Sequence, residues 1–150
     1  MDFKIKELDN NYDPIKVFSI FEDMQDTAFL DGKHLDKTLS QYSFIGINPI
    51  LKFKFENNII VINDQKLEDN NPFLALEKLT NNYKIKYDSQ LPFIGGAIGY
   101  LSYDINSNKK SSIPKSIFCI YENLIIFDLI NKKTYISALG IKKHKDTSIT

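Results

Sequence analysis

Apolar residues alternate with polar ones along most of this chain, and in two stretches they recur at helical spacing instead. Asp2 to Leu8 sets Phe3 and Ile5 against Asp2, Lys4 and Lys6. This predicts a short strand, placed at a sheet edge because its lysines discourage further pairing. Asp13-Pro14 then supplies a capping side chain and a first-turn residue that needs no amide hydrogen. Ile15, Phe18, Phe21 and Met24, with Val17 and Ile20 beside them, extend this into an apolar helical stripe through about Asp23. Thr27 to Asp31 reads as a strand that breaks at Gly32, and Gly32 to Ser40 as a surface loop or a short helical turn.

Gln41 to Ile47 is aromatic and β-branched, hence a strand, and Asn48-Pro49 breaks it. Leu51 to Phe55 resumes with Phe53 and Phe55 facing a core and Lys52 and Lys54 facing out. Glu56-Asn57-Asn58 turns the chain into a strand over Ile59 to Asn63, and a turn at Asp64-Gln65 leads into a short polar connection. Asn71 caps and Pro72 starts a second helix that carries Phe73, Leu76, Leu79 and Tyr83 and ends at Asn81 and Asn82.

Leu91 to Asp104 holds three of the six glycines, Gly95, Gly96 and Gly99, inside strand-like sequence. Glycine inside a strand marks a bulge, a bend or a close approach by another backbone or a ligand, and the expectation is a central strand. Ile105 to Ser112 is polar. Ile117 to Ile130 is either two joined strands or one long bent strand. Thr134 to Leu139 closes the set, and a lysine-rich tail follows from Ile141 to Thr150, which should be frayed. Two helices among hairpin-like successions of strands predict an α+β fold, mainly antiparallel sheet with two or more flanking helices, in one domain over 1–140.

Composition narrows the function classes. The 19 basic and 19 acidic residues cancel, which removes any global electrostatic pull toward nucleic acid or an anionic membrane. Every basic residue is a lysine, so no guanidinium fork is available for carboxylates or phosphates. The single cysteine, Cys119, rules out an intramolecular disulfide and suits a reducing cytosol; in its apolar run it reads as a buried thiol rather than a nucleophile. The amino terminus lacks the apolar stretch of a signal peptide, and no segment approaches the eighteen or so apolar residues of a membrane span. The expected setting is the cytoplasm.

Chemistry-bearing motifs are sparse. Gly95-Gly96-Ala97-Ile98-Gly99 lacks the Gly-Lys-Ser/Thr ending of a phosphate loop and the helix that should follow it. His34 and His144 stand apart on polar segments with no ligand-spaced companion, and neither Ser43 nor Ser102 sits in a nucleophile elbow. Asp31, Asp104 and Asp128 each end or interrupt an apolar run. There they either meet a ligand or satisfy nearby amides, the commoner role of a strand-terminal Asp.

Three segments nevertheless carry a family resemblance. They are Gln-Tyr-Ser-Phe-Ile-Gly-Ile-Asn-Pro at 41–49, Pro-Phe-Ile-Gly-Gly-Ala-Ile-Gly-Tyr-Leu-Ser-Tyr-Asp at 92–104 and Ile-Tyr-Glu-Asn-Leu-Ile-Ile-Phe-Asp at 120–128. In this order they resemble the amino-terminal region of anthranilate synthase component I and of its sister, aminodeoxychorismate (para-aminobenzoate) synthase component I. The Ser-Tyr-Asp ending leans toward the sister branch.

The resemblance implies a non-catalytic front portion, structural or regulatory, of an enzyme that aminates chorismate in tryptophan or para-aminobenzoate and folate biosynthesis. Catalytic residues and Mg2+ belong, in that family, to a carboxy-terminal chorismate-binding domain not contained in these 150 residues. That domain, and through it a glutamine amidotransferase component II, are the implied partners, and the chain alone is expected to be inactive.

The family's front portion also contributes to a tryptophan pocket, built on a Leu-Leu-Glu-Ser-like strand and a basic residue just before Tyr-Ser-Phe-Ile-Gly. The matching residues here are Leu30, Asp31 and Gly32 on the first element and Gln41, Tyr42 and Ser43 on the second. Glu is shortened to Asp31, the Ser hydroxyl is lost at Gly32, and the basic side chain is replaced by neutral Gln41. Each lost hydrogen bond is worth about 1 kcal/mol, so tryptophan binding should be weak or absent. The competing expectation is a free-standing small-molecule or protein-binding module that kept the fold without the enzyme.

Overall fold

The computed structural model describes residues 3–32 and 41–140. Segment 33–40 and the expected tail at 141–150 lie outside the described residues. The elements run β1 (Lys4–Glu7), α1 (Pro14–Phe21), β2 (Ala28–Leu30), β3 (Tyr42–Gly46), β4 (Leu51–Glu56), β5 (Ile59–Ile62) and β6 (Gln65–Leu67). They continue with α2 (Pro72–Asn82), β7 (Gly96–Leu101), β8 (Ser116–Tyr121), β9 (Asn123–Asp128) and β10 (Lys133–Ala138).

Both helix starts form as the sequence dictates. Asp13 Oδ1 accepts the amides of Ile15 and Lys16 at 2.9 and 3.3 Å, and Asn71 Oδ1 those of Phe73 and Leu74 at 3.1 and 3.2 Å. Each cap satisfies donors that a helix N-terminus cannot pair internally.

The strands form two five-stranded antiparallel sheets, ordered β1-β10-β9-β3-β2 and β6-β5-β4-β8-β7. β1 lies at an edge, as its lysines predict. In the second sheet, β4, β5 and β6 are joined by two tight turns, whose central residues Asn57 and Asn58, then Asn63 and Asp64, all have positive φ between 47° and 66°. Two consecutive left-handed residues give the twist that a two-residue hairpin requires, and Asn and Asp tolerate it best after glycine. The second of these turns continues into β6, an added edge strand where the sequence suggested only a polar connection.

The run from 117 to 130 resolves into β8 and β9, separated by Glu122 alone, and the two strands belong to different sheets. Here the chain steps from one sheet to the other. Around this step, Ile98, Cys119 and Tyr121 from the second sheet pack with Leu124 and Ile126 from the first, joined by Leu91, Ile94 and Leu139. A second cluster packs Leu51, Phe53, Phe55, Ile60 and Ile120 against Ala75 and Leu79 of α2. Burying each of the larger side chains stabilises the fold by roughly 1.5–3 kcal/mol.

Three expectations are corrected. Among the described residues the glycine-bearing strand β7 is an edge strand, not a central one. Glycines of this segment do serve close approach: a Cβ on Gly95, just before β7, would lie 2.4 Å from Leu139 Cδ1, and one on Gly99 only 1.9 Å from the Ile117 carbonyl oxygen of the adjacent strand. The stripe of α1 is less buried than its spacing suggests. Val17, Phe18 and Phe21 are half-buried, with Phe18 stacked on Phe29 at 4.9 Å, while Ile15 and Ile20 point to solvent. In α2 Ala75 and Leu79 are buried, Leu76 and, at the helix end, Tyr83 pack half-buried against the same cluster as expected, and Phe73 is exposed.

Candidate functional site

β2 and β3 pair antiparallel with Leu30 opposite Phe44 and Phe29 opposite Ile45. Side chains alternate across a strand, so Leu30 and Phe44 share one face, together with Tyr42. Phe29, Ile45 and Ser43 share the other, the face that α1 covers through Phe18 and Phe29. The residues matched to the tryptophan pocket are therefore divided by the sheet itself.

On the α1 side, the fully buried Ser43 hydroxyl donates to Asp31 Oδ1 at 3.0 Å and accepts the Gly32 amide at 3.0 Å. Asp31, Gly32 and Ser43 come together as a closed hydrogen-bonded set at the end of β2. On the opposite face Tyr42 stacks near Phe44, with ring centroids 6.1 Å apart. Burial, with smaller contributions from Asp128 and Tyr135, pushes the Tyr42 phenol above its ordinary range.

Gln41 joins neither group. Its Nε2 donates to both oxygens of Asp128, at 3.2 and 3.3 Å. Asp128 also accepts the amides of Ile130 and Asn131 at 3.2 and 3.0 Å and the Asn131 side-chain Nδ2 at 2.9 Å. Burial pushes its carboxyl upward, but the bonds from Asn131, Gln41 and Ile130 outweigh this and hold it below the usual carboxylate range. Asp128 is thus a strand-terminal acid that organises the β9–β10 turn. Asp104 accepts the Ser102 hydroxyl at 2.7 Å in a local pairing of the same kind.

The side-chain cluster the sequence did not indicate lies at the margin between the sheets. A cleft of about 300 Å³ is bounded by the Gln25-Asp26 turn, by Lys52 and Lys54 on β4, and by Asn63 and Asp64. Lys52 Nζ meets Asp26 Oδ1 at 2.7 Å, and this hydrogen bond raises the lysine above its ordinary pKa. The Tyr121 hydroxyl donates to the Asp26 carbonyl. Period-two reading turns Lys52 away from Phe53 and Phe55, but that face of β4, where Lys52 lies opposite Cys119, is the one turned toward the first sheet, and a turn 26 residues earlier folds over it.

Cys119 is buried, and desolvation pushes its thiol up, as expected of a core cysteine. Both histidines lie outside the described residues. Among the described residues no three His, Cys, Asp or Glu side chains gather as a metal site would require.

No family model matches the chain. Curated proteins do. The sequence is 33% identical over 136 residues to anthranilate synthase component 1 of Lactococcus lactis, covering 83% of this chain and 30% of that protein. It is 32% identical to the Bacillus subtilis protein of the same name, over 75% of this chain and 25% of the relative. Among solved structures, anthranilate synthase component I from Streptococcus pneumoniae aligns over 86% of this chain and 30% of its own, with a TM-score of 0.56 and 26% identity.

The class is thus a two-sheet antiparallel α+β domain that, in a solved protein, makes up under a third of a longer chain. The particular family follows from sequence and fold together: the chain is a relative of anthranilate synthase component I and corresponds to its amino-terminal region. It spans 25–30% of the length of these curated relatives.

Proposed function

We propose that the chain acts as the non-catalytic amino-terminal domain of a component I enzyme, supporting a separate chorismate-binding domain that aminates chorismate. The observation that carries this reading is the lopsided coverage: 83% of the chain matches 30% of the Lactococcus lactis relative. The relatives reported are anthranilate synthases, so the proposed product is anthranilate, for tryptophan synthesis, rather than aminodeoxychorismate, for para-aminobenzoate and folate. Mg2+ and the contact with a glutamine amidotransferase component II would belong to the chorismate-binding part, and the enzyme would work in the cytoplasm.

In this chain the polar side chains matched to the tryptophan pocket already have partners within the chain. Ser43 engages both Asp31 and Gly32, and Gln41 engages Asp128. A ligand's ammonium and carboxylate would have to displace these bonds, which supports weak or absent tryptophan binding.

The test mixes the purified chain with a separately expressed polypeptide carrying the remaining part of the Lactococcus lactis protein. Chorismate, ammonia and Mg2+ are supplied, and products are separated by chromatography. Anthranilate from the mixture, with none from the 150-residue chain alone, is the expected result. Turnover by the chain alone would overturn the reading, and so would a mixture no more active than the added polypeptide.

A further inference from the structure

Lys52 and Lys54 stand on the face of β4 whose cross-strand neighbours, Cys119 and Ile117, belong to the apolar core between the sheets. Charge on such a face is costly unless opposite charge or hydrogen bonds meet it. Asp26, on the turn before β2, accepts from Lys52 Nζ at 2.7 Å, and Glu56 approaches Lys54 Nζ at 3.1 Å. Between the Asp26 turn and β4 remains the cleft of about 300 Å³, large enough for a small metabolite. The cleft lies at the Asp26 end of β2, whereas Asp31, Gly32 and Ser43 gather at the other end of that strand. It is therefore separate from the residues matched to the tryptophan pocket.

Both walls of the cleft are held from within the fold. On one side the buried Tyr121 donates its hydroxyl to the Asp26 carbonyl. On the other, the Lys52 amide donates to Asn63 Oδ1 at 2.9 Å and the Asn63 amide to the Lys52 carbonyl at 3.0 Å. These bonds fix the turn in which Asn63 and Asp64 take positive φ of 47° and 66°. Hydrogen-bonding capacity of both kinds is left over. Lys52 Nζ keeps two of its three hydrogens, Asn63 keeps those on Nδ2, and Asp26 keeps its second oxygen. Among the described residues no hydrogen bond or ion pair engages the Asp64 carboxylate. Pro49 and Val61 add apolar surface beside these groups.

We propose that this cleft binds a small aliphatic α-amino acid as its zwitterion. The ligand's carboxylate meets the ammonium groups of Lys52 and Lys54 and the Asn63 Nδ2, and its ammonium meets Asp64 and the second oxygen of Asp26. Its aliphatic side chain lies on Pro49 and Val61. A simple anion would also face two carboxylates, and a simple cation two ammonium groups. A ligand carrying both charges is the one whose every charge has an opposite partner, and like-charge contacts exclude the others. Because the walls are fixed before binding, little ordering cost is added. The proposal goes beyond the role of amino-terminal domain and does not depend on it.

Proton–nitrogen correlation NMR on the full chain tests this with three probes of matching skeleton: L-leucine, isocaproate, which lacks the ammonium, and isoamylamine, which lacks the carboxylate. L-Leucine should shift the amides of Lys52, Asn63 and Asp64 saturably, and both analogues should bind at least tenfold more weakly. Asp64→Asn, which the left-handed backbone tolerates, and Lys54→Gln should each weaken L-leucine binding at least tenfold. Lys78→Gln, on the exposed side of α2, should change it less than twofold. The same spectra confirm that all three variants fold. The proposal is overturned by the absence of saturable shifts, by shifts centred elsewhere, or by an analogue that binds as tightly as L-leucine. Unchanged binding to Asp64→Asn and Lys54→Gln would overturn it equally. None of these outcomes bears on the reading of the chain as one domain of a component I enzyme, which is tested by anthranilate formation.

Discussion

The Ser43 hydroxyl stands between Asp31 and Gly32, donating to the carboxylate and accepting the amide, each at 3.0 Å. One buried hydroxyl therefore holds the end of β2 against β3. Ser43→Ala should cost about 1–3 kcal/mol, because it leaves the Gly32 amide without its partner. Chemical denaturation of the two proteins measures the difference. The same bonds should keep the chain from binding tryptophan, and titration calorimetry should detect no micromolar affinity.

Asp128 gathers bonds from Gln41, Ile130 and Asn131, and Asp128→Ala should destabilise the chain by about 2–3 kcal/mol, since hydrogen bonds to a charged group are stronger than neutral ones. Its pH dependence has a definite sign. A carboxyl held below its unfolded pKa contributes stability above about pH 4, and that contribution is lost as pH falls through the lower folded value. Asp128→Asn should flatten the acid limb of a plot of stability against pH.

Lys52 and Asp26 form a partly exposed pair, with side chains 36% and 24% accessible. Solvent screening limits such a pair to about 0.2–1 kcal/mol, measurable by a double-mutant cycle with Lys52→Ala and Asp26→Ala. Because Asp26 raises the lysine's pKa, the contribution is complete below about pH 10 and is lost as pH rises through the folded value. High salt should weaken it at neutral pH.

Gly99→Ala should be among the most damaging single-methyl changes in the chain. The added carbon would meet the Ile117 carbonyl oxygen and the Phe118 Cα, and neither is the movable end of a side chain. A loss of about 3 kcal/mol is expected, lowering the melting temperature by roughly 6–12 °C.

Ser116 gives the opposite case. Its side-chain oxygen is fully buried and has no hydrogen-bond partner among the described residues. Ser116→Ala removes an unsatisfied polar atom without adding volume and should raise stability by about 1 kcal/mol, read from the denaturation midpoint.

The sequence by itself determined the local elements, because their causes are local. Asp13-Pro14 and Asn71-Pro72 start the helices, Asn57-Asn58 turns the hairpin, and alternation in β4 separates Phe53 and Phe55 from Lys52 and Lys54. Of the candidate site, its sequence could align Leu30, Asp31, Gly32, Gln41, Tyr42 and Ser43 with a known pocket. It could not show that the sheet divides them between two faces, or that Asp128, 87 residues from Gln41, takes up that side chain.

Tertiary structure alone decided which strands share a sheet. Glu122 looks like an interruption in an apolar run, yet it marks the step from one sheet to the other, because β8 and β9 find different neighbours on either side of it. Among the described residues, strand order likewise placed the glycine-bearing segment at the edge of its sheet. Its composition records only that something comes close, whereas the described strands show β8 as its neighbour.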